Sequence, residues 1–121
     1  MRATTAVLVL LCLLPTVACS PLEMKARDTA AALSGSIAAA QAKYAASCTA
    51  TPGQEVCQVI NRGVSGENAL VTAIETYCGW ALAAAPPDPT AKCVPVKSAS
   101  ASLETAIANA TALTLQIKGA L

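Results

Sequence analysis

The sequence predicts an all-α fold, an antiparallel up-down-up three-helix bundle stapled by two disulfides. Apolar residues recur at spacings of three and four in three separate segments, which is the pattern of one face of an α-helix. Two of the segments open with a helix-capping signature, and no strand pattern of comparable strength appears. Three consecutive helices pack most simply as an up-down-up bundle.

The first helix is predicted over residues 21–46. Ser20, Pro21, Leu22 and Glu23 form a capping box with proline at the first helical position. We expect Ser20 to accept a hydrogen bond from the Glu23 N–H while the Glu23 carboxylate bonds back to the cap. The apolar stripe of this helix is Leu22, Ala26, Ala30, Leu33, Ile37, Ala40 and Tyr44.

The second helix is predicted over residues 52–84, because Thr51, Pro52, Gly53 and Gln54 repeat the capping signature. Gly63 and Gly66 each weaken a helix by about 1 kcal/mol relative to alanine. Since the apolar phase continues across both glycines, we expect close backbone packing or a kink there rather than a break. The stripe is Val56, Val59, Ile60, Val64, Val71, Ile74, Cys78 and Leu82.

The third helix is predicted over residues 98–118. Prolines 86, 87 and 89 end the preceding helix, and the segment up to Pro95 is expected to be irregular because proline fixes φ and removes a donor. Gly119 stands where a left-handed C-terminal cap belongs. The stripe of the third helix is Leu103, Ile107, Ala110, Leu113, Thr114 and Ile117.

The start of the chain has the pattern of an export signal. Arg2 is the only charge in the first 22 residues, and residues 6–14 are apolar. A short Pro-Thr-Val-Ala stretch then leads directly into Cys19. This leader resembles a bacterial lipoprotein signal: the Val-Ala pair before the cysteine fits that family, and Thr16 stands where Leu, Val or Ile is usual.

The resemblance implies a signal peptide over residues 1–18 and a single mature helical domain over 19–121. In that family a diacylglyceryl group is attached to the thiol of the cysteine that becomes the new N-terminus, here Cys19. Two other interpretations are an ordinary secretory signal cut before Cys19 and an uncleaved membrane anchor.

Counting the cysteines favours lipidation over ordinary secretion. The chain has six cysteines, and Cys12 is lost with the leader. Ordinary cleavage leaves five thiols, so one stays unpaired in an oxidising compartment. Lipidation removes Cys19 from the count and leaves four cysteines, which is enough for two disulfides.

The pairing of these four cysteines follows from the predicted bundle. If Cys57 and Cys78 share one helix, they lie about 30 Å apart, far beyond disulfide reach. In an antiparallel bundle Cys48 and Cys57 lie at one end and Cys78 and Cys93 at the other, which leaves Cys48–Cys57 and Cys78–Cys93. The chain has no CxxC motif and no histidine, so we expect structural disulfides and no metal site.

Composition excludes several classes of function. Without Arg2 the mature chain keeps seven basic and seven acidic residues and is near neutral, so nothing in its charge recruits nucleic acid. The lack of histidine excludes a Ser-His-Asp or Cys-His catalytic arrangement. We therefore expect no enzymatic activity and no cofactor.

One stretch of the chain is a candidate interaction surface. Tyr77 and Trp80 flank Cys78 beside the proline-rich segment that contains Pro86 and Pro87. A semi-rigid loop next to amphipathic aromatic side chains is a plausible contact site. The alternative is that Trp80 covers the disulfide and closes the end of the bundle.

These observations favour a small cell-envelope lipoprotein with a structural or protein-interaction role, held at the membrane by a lipidated Cys19 to meet an unknown envelope protein. An aspartate after the lipidated cysteine favours inner-membrane retention in proteobacterial lipoproteins, so Ser20 resembles the outer-membrane class, which faces the periplasm. The alternative is a periplasmic or secreted soluble helical protein that binds a small apolar ligand between its helices.

Overall fold

The computed structural model describes residues 20–79 and 93–121. It contains helix α1 (Pro21–Ala50), helix α2 (Glu55–Tyr77), a short 3-10 turn (Lys97–Ala99) and helix α3 (Ser100–Ala120). Each of the three helices packs against the other two, and no strand occurs within the described ranges. The predicted all-α three-helix bundle is confirmed.

Helix α1 begins as predicted but ends four residues later. The Ser20 hydroxyl accepts a hydrogen bond from the Glu23 N–H at 3.0 Å, and Pro21 is the first helical residue. The expected return bond from Glu23 to the cap is wrong, because the carboxylate pairs with Arg27 instead. The helix continues to Ala50, where the following Thr51-Pro52 pair stops it, since a residue before proline is disfavoured in the helical region.

The predicted start of α2 at residue 52 is wrong. Thr51 is not the N-cap: residues 51–54 form a turn, in which the Gln54 N–H donates to the Thr51 carbonyl at 3.2 Å. Proline is favoured at the second position of such a turn, which Pro52 occupies. The helix begins at Glu55, with Gln54 as an N-cap that makes no side-chain capping bond.

The predicted end of α2 at residue 84 is also wrong. The helix ends at Tyr77, and Cys78 is its C-cap. Gly79 follows with φ of +73°, the left-handed conformation that glycine adopts just after a helix. Of the predicted continuation, residues 80–84 lie outside the described ranges.

Helix α3 is two residues longer than predicted at its C-terminal side and does not use Gly119 as a left-handed cap. It runs through Gly119 to Ala120. Two side chains from α1 donate to carbonyl groups at this end, and the Leu121 N–H donates to the Lys118 carbonyl, so part of the usual work of a C-cap is done without a left-handed residue. The Tyr44 hydroxyl donates to the Ala120 carbonyl, and the Lys43 ammonium donates to the Leu121 carbonyl at 2.6 Å.

Among the described residues, the predicted stripes are buried or partly buried, with Val71 as the exception, while Leu82 lies outside the described ranges. Val71 was expected to be buried, but it is exposed and its neighbour Leu70 is fully buried. The buried face of α2 passes through Gly63, which has no side chain to mark it, so the sequence pattern favoured the wrong neighbour. Apolar core residues contributed by the helices are Ala26, Leu33, Ile37, Ala40, Ile60, Leu70, Ile74, Tyr77, Leu103, Ile107, Ala110 and Ile117.

Close packing at the α2 glycines is confirmed, since the helix runs through both without a break. A Cβ added to Gly63 would lie 2.6 Å from Ile117 Cδ1 and 3.3 Å from Ile37 Cγ1. A Cβ on Gly66 would meet only the Leu113 side chain, which is partly buried. Gly63 is therefore the position at which α2 approaches the other two helices.

We predict that Gly63→Ala lowers the free energy of unfolding by about 1–3 kcal/mol, because overpacking at a fully enclosed site outweighs the gain in helix propensity. The matched control is Gly35→Ala in α1, where nothing lies within 4 Å of the added Cβ. That variant should be more stable by about 0.5–1 kcal/mol. Urea denaturation followed by circular dichroism measures both. Equal stabilisation by the two substitutions would contradict close packing at Gly63.

Candidate functional site at one end of the bundle

One end of the bundle brings together the start of α1, the end of α2 and the approach to α3. The Ser20 and Tyr77 hydroxyl groups hydrogen-bond across 3.0 Å, although the two residues are 57 positions apart. Ser20 is also held by its capping bond with Glu23. The residue that follows Cys19 in the chain is thus fixed to the folded domain. Cys19 itself lies outside the described residues.

The predicted disulfide pairing is confirmed. Cys78 and Cys93 form a disulfide at this end, with their Cα atoms 4.3 Å apart and both residues buried. Cys48 and Cys57 form the second disulfide at the opposite end, with their Cα atoms 5.6 Å apart. The Cys48–Cys57 disulfide therefore joins α1 to α2, and the Cys78–Cys93 disulfide joins the end of α2 to the segment that leads into α3.

Residues 93–96 run beside the end of α2 and are held there by the backbone. The Val94 N–H donates to the Cys78 carbonyl at 3.3 Å, and the Val96 N–H donates to the Tyr77 carbonyl at 2.7 Å. Despite this fixed backbone, the side chains point outward: Val94 is 68% exposed and Val96 is 38% exposed. This end of the bundle therefore presents a small, ordered apolar surface.

Glu23 is a buried carboxylate at the same end. Only 7% of the residue is exposed. One oxygen, Oε1, accepts from Arg27 Nε at 2.9 Å, and the other, Oε2, has no hydrogen-bond partner within the described part of the chain. The capping box accounts for Glu23 only as a residue of the cap. Its spacing from Ala26 and Leu33 places it on the buried stripe, a signal that could have revealed the burial.

A carboxylate oxygen of Glu23 and the sulfur atoms of Cys78 and Cys93 all lie within 4.8 Å of one another. Carboxylate and thiolate groups at such distances are a ligand set suited to zinc. The two sulfur atoms are joined as a disulfide, however, and metals bind the thiolate form. In the oxidised protein this cluster is a buried carboxylate packed near a disulfide.

The prediction that Tyr77 belongs to an exposed interaction surface is wrong. It is 5% exposed, and its hydroxyl is bonded to Ser20, so it belongs to the interior of this end. The other predicted members, Trp80, Pro86 and Pro87, lie outside the described residues. Sequence reasoning missed the Val94 and Val96 surface, which follows from the backbone pairing of residues 93–96 with the end of α2.

Other concave regions among the described residues are grooves between helices. One, of about 660 Å³, runs between α2 and α3 and is lined mainly by small residues such as Ala69, Ala73 and Ala106. Another, of about 330 Å³, lies beside the Cys48–Cys57 disulfide. The space left by the missing side chain of Gly63 is filled by Ile117 and Ile37, so this glycine does not open a ligand cavity.

Within residues 20–79 and 93–121, no helix combines the length and the apolar character needed to cross a bilayer. Comparison with known proteins adds no assignment: no protein-family model, curated protein or solved structure matches this chain.

Proposed function

We propose that this protein is a small cell-envelope lipoprotein, anchored through a lipidated Cys19, whose helical bundle has a structural or protein-interaction role rather than a catalytic one. The observation that carries the proposal is the use of the cysteines. The four cysteines at positions 48, 57, 78 and 93 are all consumed in disulfides. These two disulfides leave over Cys19, at the position where the leader resembles a lipoprotein signal.

The start of the folded domain supports the same proposal. Ser20 is bonded to Glu23 and to Tyr77, so the residue directly after Cys19 is already part of the folded bundle. Adjacent Cα atoms are about 3.8 Å apart, which leaves no flexible tether between acyl chains on Cys19 and the bundle. A bundle held in this way stays at the lipid surface. It suits a membrane-proximal partner and cannot reach across the periplasm.

The proposed location is the outer membrane, with the bundle facing the periplasm. Ser20 after the lipidated cysteine resembles the outer-membrane class of proteobacterial lipoproteins. The alternative of a secreted or periplasmic protein with an apolar ligand between its helices has less support. Its support was the small-residue lining and the two glycines of α2, which permit a groove. Ile117 and Ile37 fill the space at Gly63, and the groove beside Gly66 is lined mainly by small residues rather than by the large apolar side chains that usually hold such a ligand.

The test of the proposal is Cys19→Ser, with Cys12→Ser as the matched control. Cells fed an alkyne-bearing fatty acid should label the wild-type protein and the Cys12→Ser variant, because the leader cysteine acts as a small apolar residue that is removed. The Cys19→Ser variant should lose the label completely, and its processed form should leave the membrane fraction. Label that persists on Cys19→Ser, or a wild-type protein without label, would refute lipid anchoring at this residue.

A further inference from the structure

We propose that the exposed apolar segment Val94-Pro95-Val96 is a membrane-contacting surface that seats in the interfacial region of a phospholipid bilayer. This inference rests on the proposed lipid anchor at Cys19 and goes further. It assigns one face of the folded domain to the bilayer and thereby sets the orientation of the whole bundle.

The apolar segment lies at the same end of the bundle as Ser20. The backbone N–H groups of Val94 and Val96 are bonded to Cys78 and Tyr77, and the Tyr77 hydroxyl is bonded to Ser20. One residue, Tyr77, therefore links the apolar segment by hydrogen bonds to Ser20, the residue that follows Cys19. Acyl chains on Cys19 would enter the bilayer at this end of the bundle, which places the segment close to the same lipid surface.

The segment is exposed to solvent, and its backbone is held in place. Val94 is 68% exposed and Val96 is 38% exposed, although both side chains are apolar. Cys93, directly before them, is buried in a disulfide, and two backbone hydrogen bonds fix the segment. The segment is already ordered, so its burial in lipid removes apolar surface from water with little further loss of conformational entropy.

A single positive charge follows the apolar segment. Lys97 is the only charged residue from Cys93 to Ser100, and it is exposed. A lysine beside an apolar anchor can place its ammonium group among lipid phosphates while its methylene groups contact apolar surface. The change from three apolar residues to a lysine along this segment thus matches the change from acyl chains to charged headgroups across the surface of a bilayer.

The bilayer is favoured over a protein as the occupant of this surface because of the missing tether. Ser20, the residue directly after Cys19, is held in the bundle by its bonds to Glu23 and Tyr77, so an anchor at Cys19 keeps this end against the membrane and leaves no gap in which another folded domain fits. A second copy of the chain or an envelope protein bound here would have to displace the bundle from the lipid. These occupants are outcomes of the test below.

The test uses acylated protein in which Trp80→Phe removes the natural tryptophan. One new tryptophan is then placed either in the segment or at a matched exposed position away from it. Val94→Trp is compared with Leu115→Trp, since Leu115 is 66% exposed but lies about 22 Å along α3 from its start. Both proteins are reconstituted in phosphatidylethanolamine–phosphatidylglycerol vesicles that carry acyl-brominated lipids. We expect bromine to quench the Val94→Trp emission at least twofold and to leave Leu115→Trp nearly unchanged.

Three results separate the possible failures. Mass spectrometry of the same samples shows whether acyl chains are present, and their absence would overturn the proposed function. Acylated protein in which both variants are equally unquenched would overturn the membrane contact alone. Emission from Val94→Trp that resists both bromine and aqueous iodide would indicate a protein occupant, which also overturns it.

A second measurement does not depend on the Trp80→Phe background. Val94→Asp in the acylated wild-type chain should speed spontaneous transfer between vesicles several-fold, because a carboxylate replaces the apolar side chain that contacts lipid. Leu115→Asp should transfer at the wild-type rate. Equal rates for the two aspartate variants would contradict the contact, and circular dichroism confirms that each variant keeps its helices.

Discussion

Replacing Cys78 and Cys93 by serine should lower the free energy of unfolding by about 3 kcal/mol, as the chain-entropy estimate gives for a loop of this length. The disulfide closes a loop with a sequence separation of 15 residues, and both half-cystines are buried. The Cys48–Cys57 disulfide closes a shorter loop with a separation of 9, so its removal should cost slightly less, about 2–3 kcal/mol.

Loss of both disulfides should bring the domain close to the limit of folding. The two lie at opposite ends of the bundle and share no partner, so their effects should add. The sum is about 5–6 kcal/mol, against a total stability of about 5–15 kcal/mol for a typical domain. The chain has no phenylalanine and a single tryptophan, so few large side chains compensate.

Guanidinium denaturation of a soluble Cys19→Ser protein, with and without each pair of cysteines, measures these losses. Adding a thiol reductant to the unsubstituted pairs provides the control, since it should reproduce the double variant without any change of sequence. An unfolding midpoint that does not move on full reduction would contradict a structural role for the disulfides.

The second large effect is expected from the core. Leu103→Ala should lower the free energy of unfolding by about 2–5 kcal/mol, because Leu103 is fully buried among alanine-rich helices that cannot close the cavity. Leu115→Ala on the same helix removes the same atoms from an exposed site and should change stability by less than about 0.5 kcal/mol. Comparable losses for the two variants would contradict the assigned faces of α3.

Helical periodicity was sufficient to predict the architecture and the disulfides. A stripe at spacings of three and four marks the buried face wherever side chains are present. The bundle then leaves only one pairing of the four cysteines within reach, Cys48–Cys57 and Cys78–Cys93. The prediction failed at Val71 because Gly63, a member of the buried face, has no side chain to count.

The apolar stripes of the helices were not sufficient to predict where each helix ends or how the whole candidate site is assembled. Gly79 marks the end of α2, but the apolar phase continues past it through Leu82 and favoured a longer helix. At the candidate site the capping box beside Cys19 was predictable from local sequence. The approach of Glu23 to the Cys78–Cys93 disulfide was not, because it joins residues far apart in the chain through tertiary packing.

The measurement that tests the central claim most directly is the intact mass of the protein from its native host, before and after reduction and alkylation. We predict a mature N-terminus at Cys19 that carries acyl mass, with four cysteines alkylated only after reduction. An unacylated chain with a fifth thiol that is alkylated before reduction would contradict the lipoprotein assignment and move the protein to the secreted soluble class.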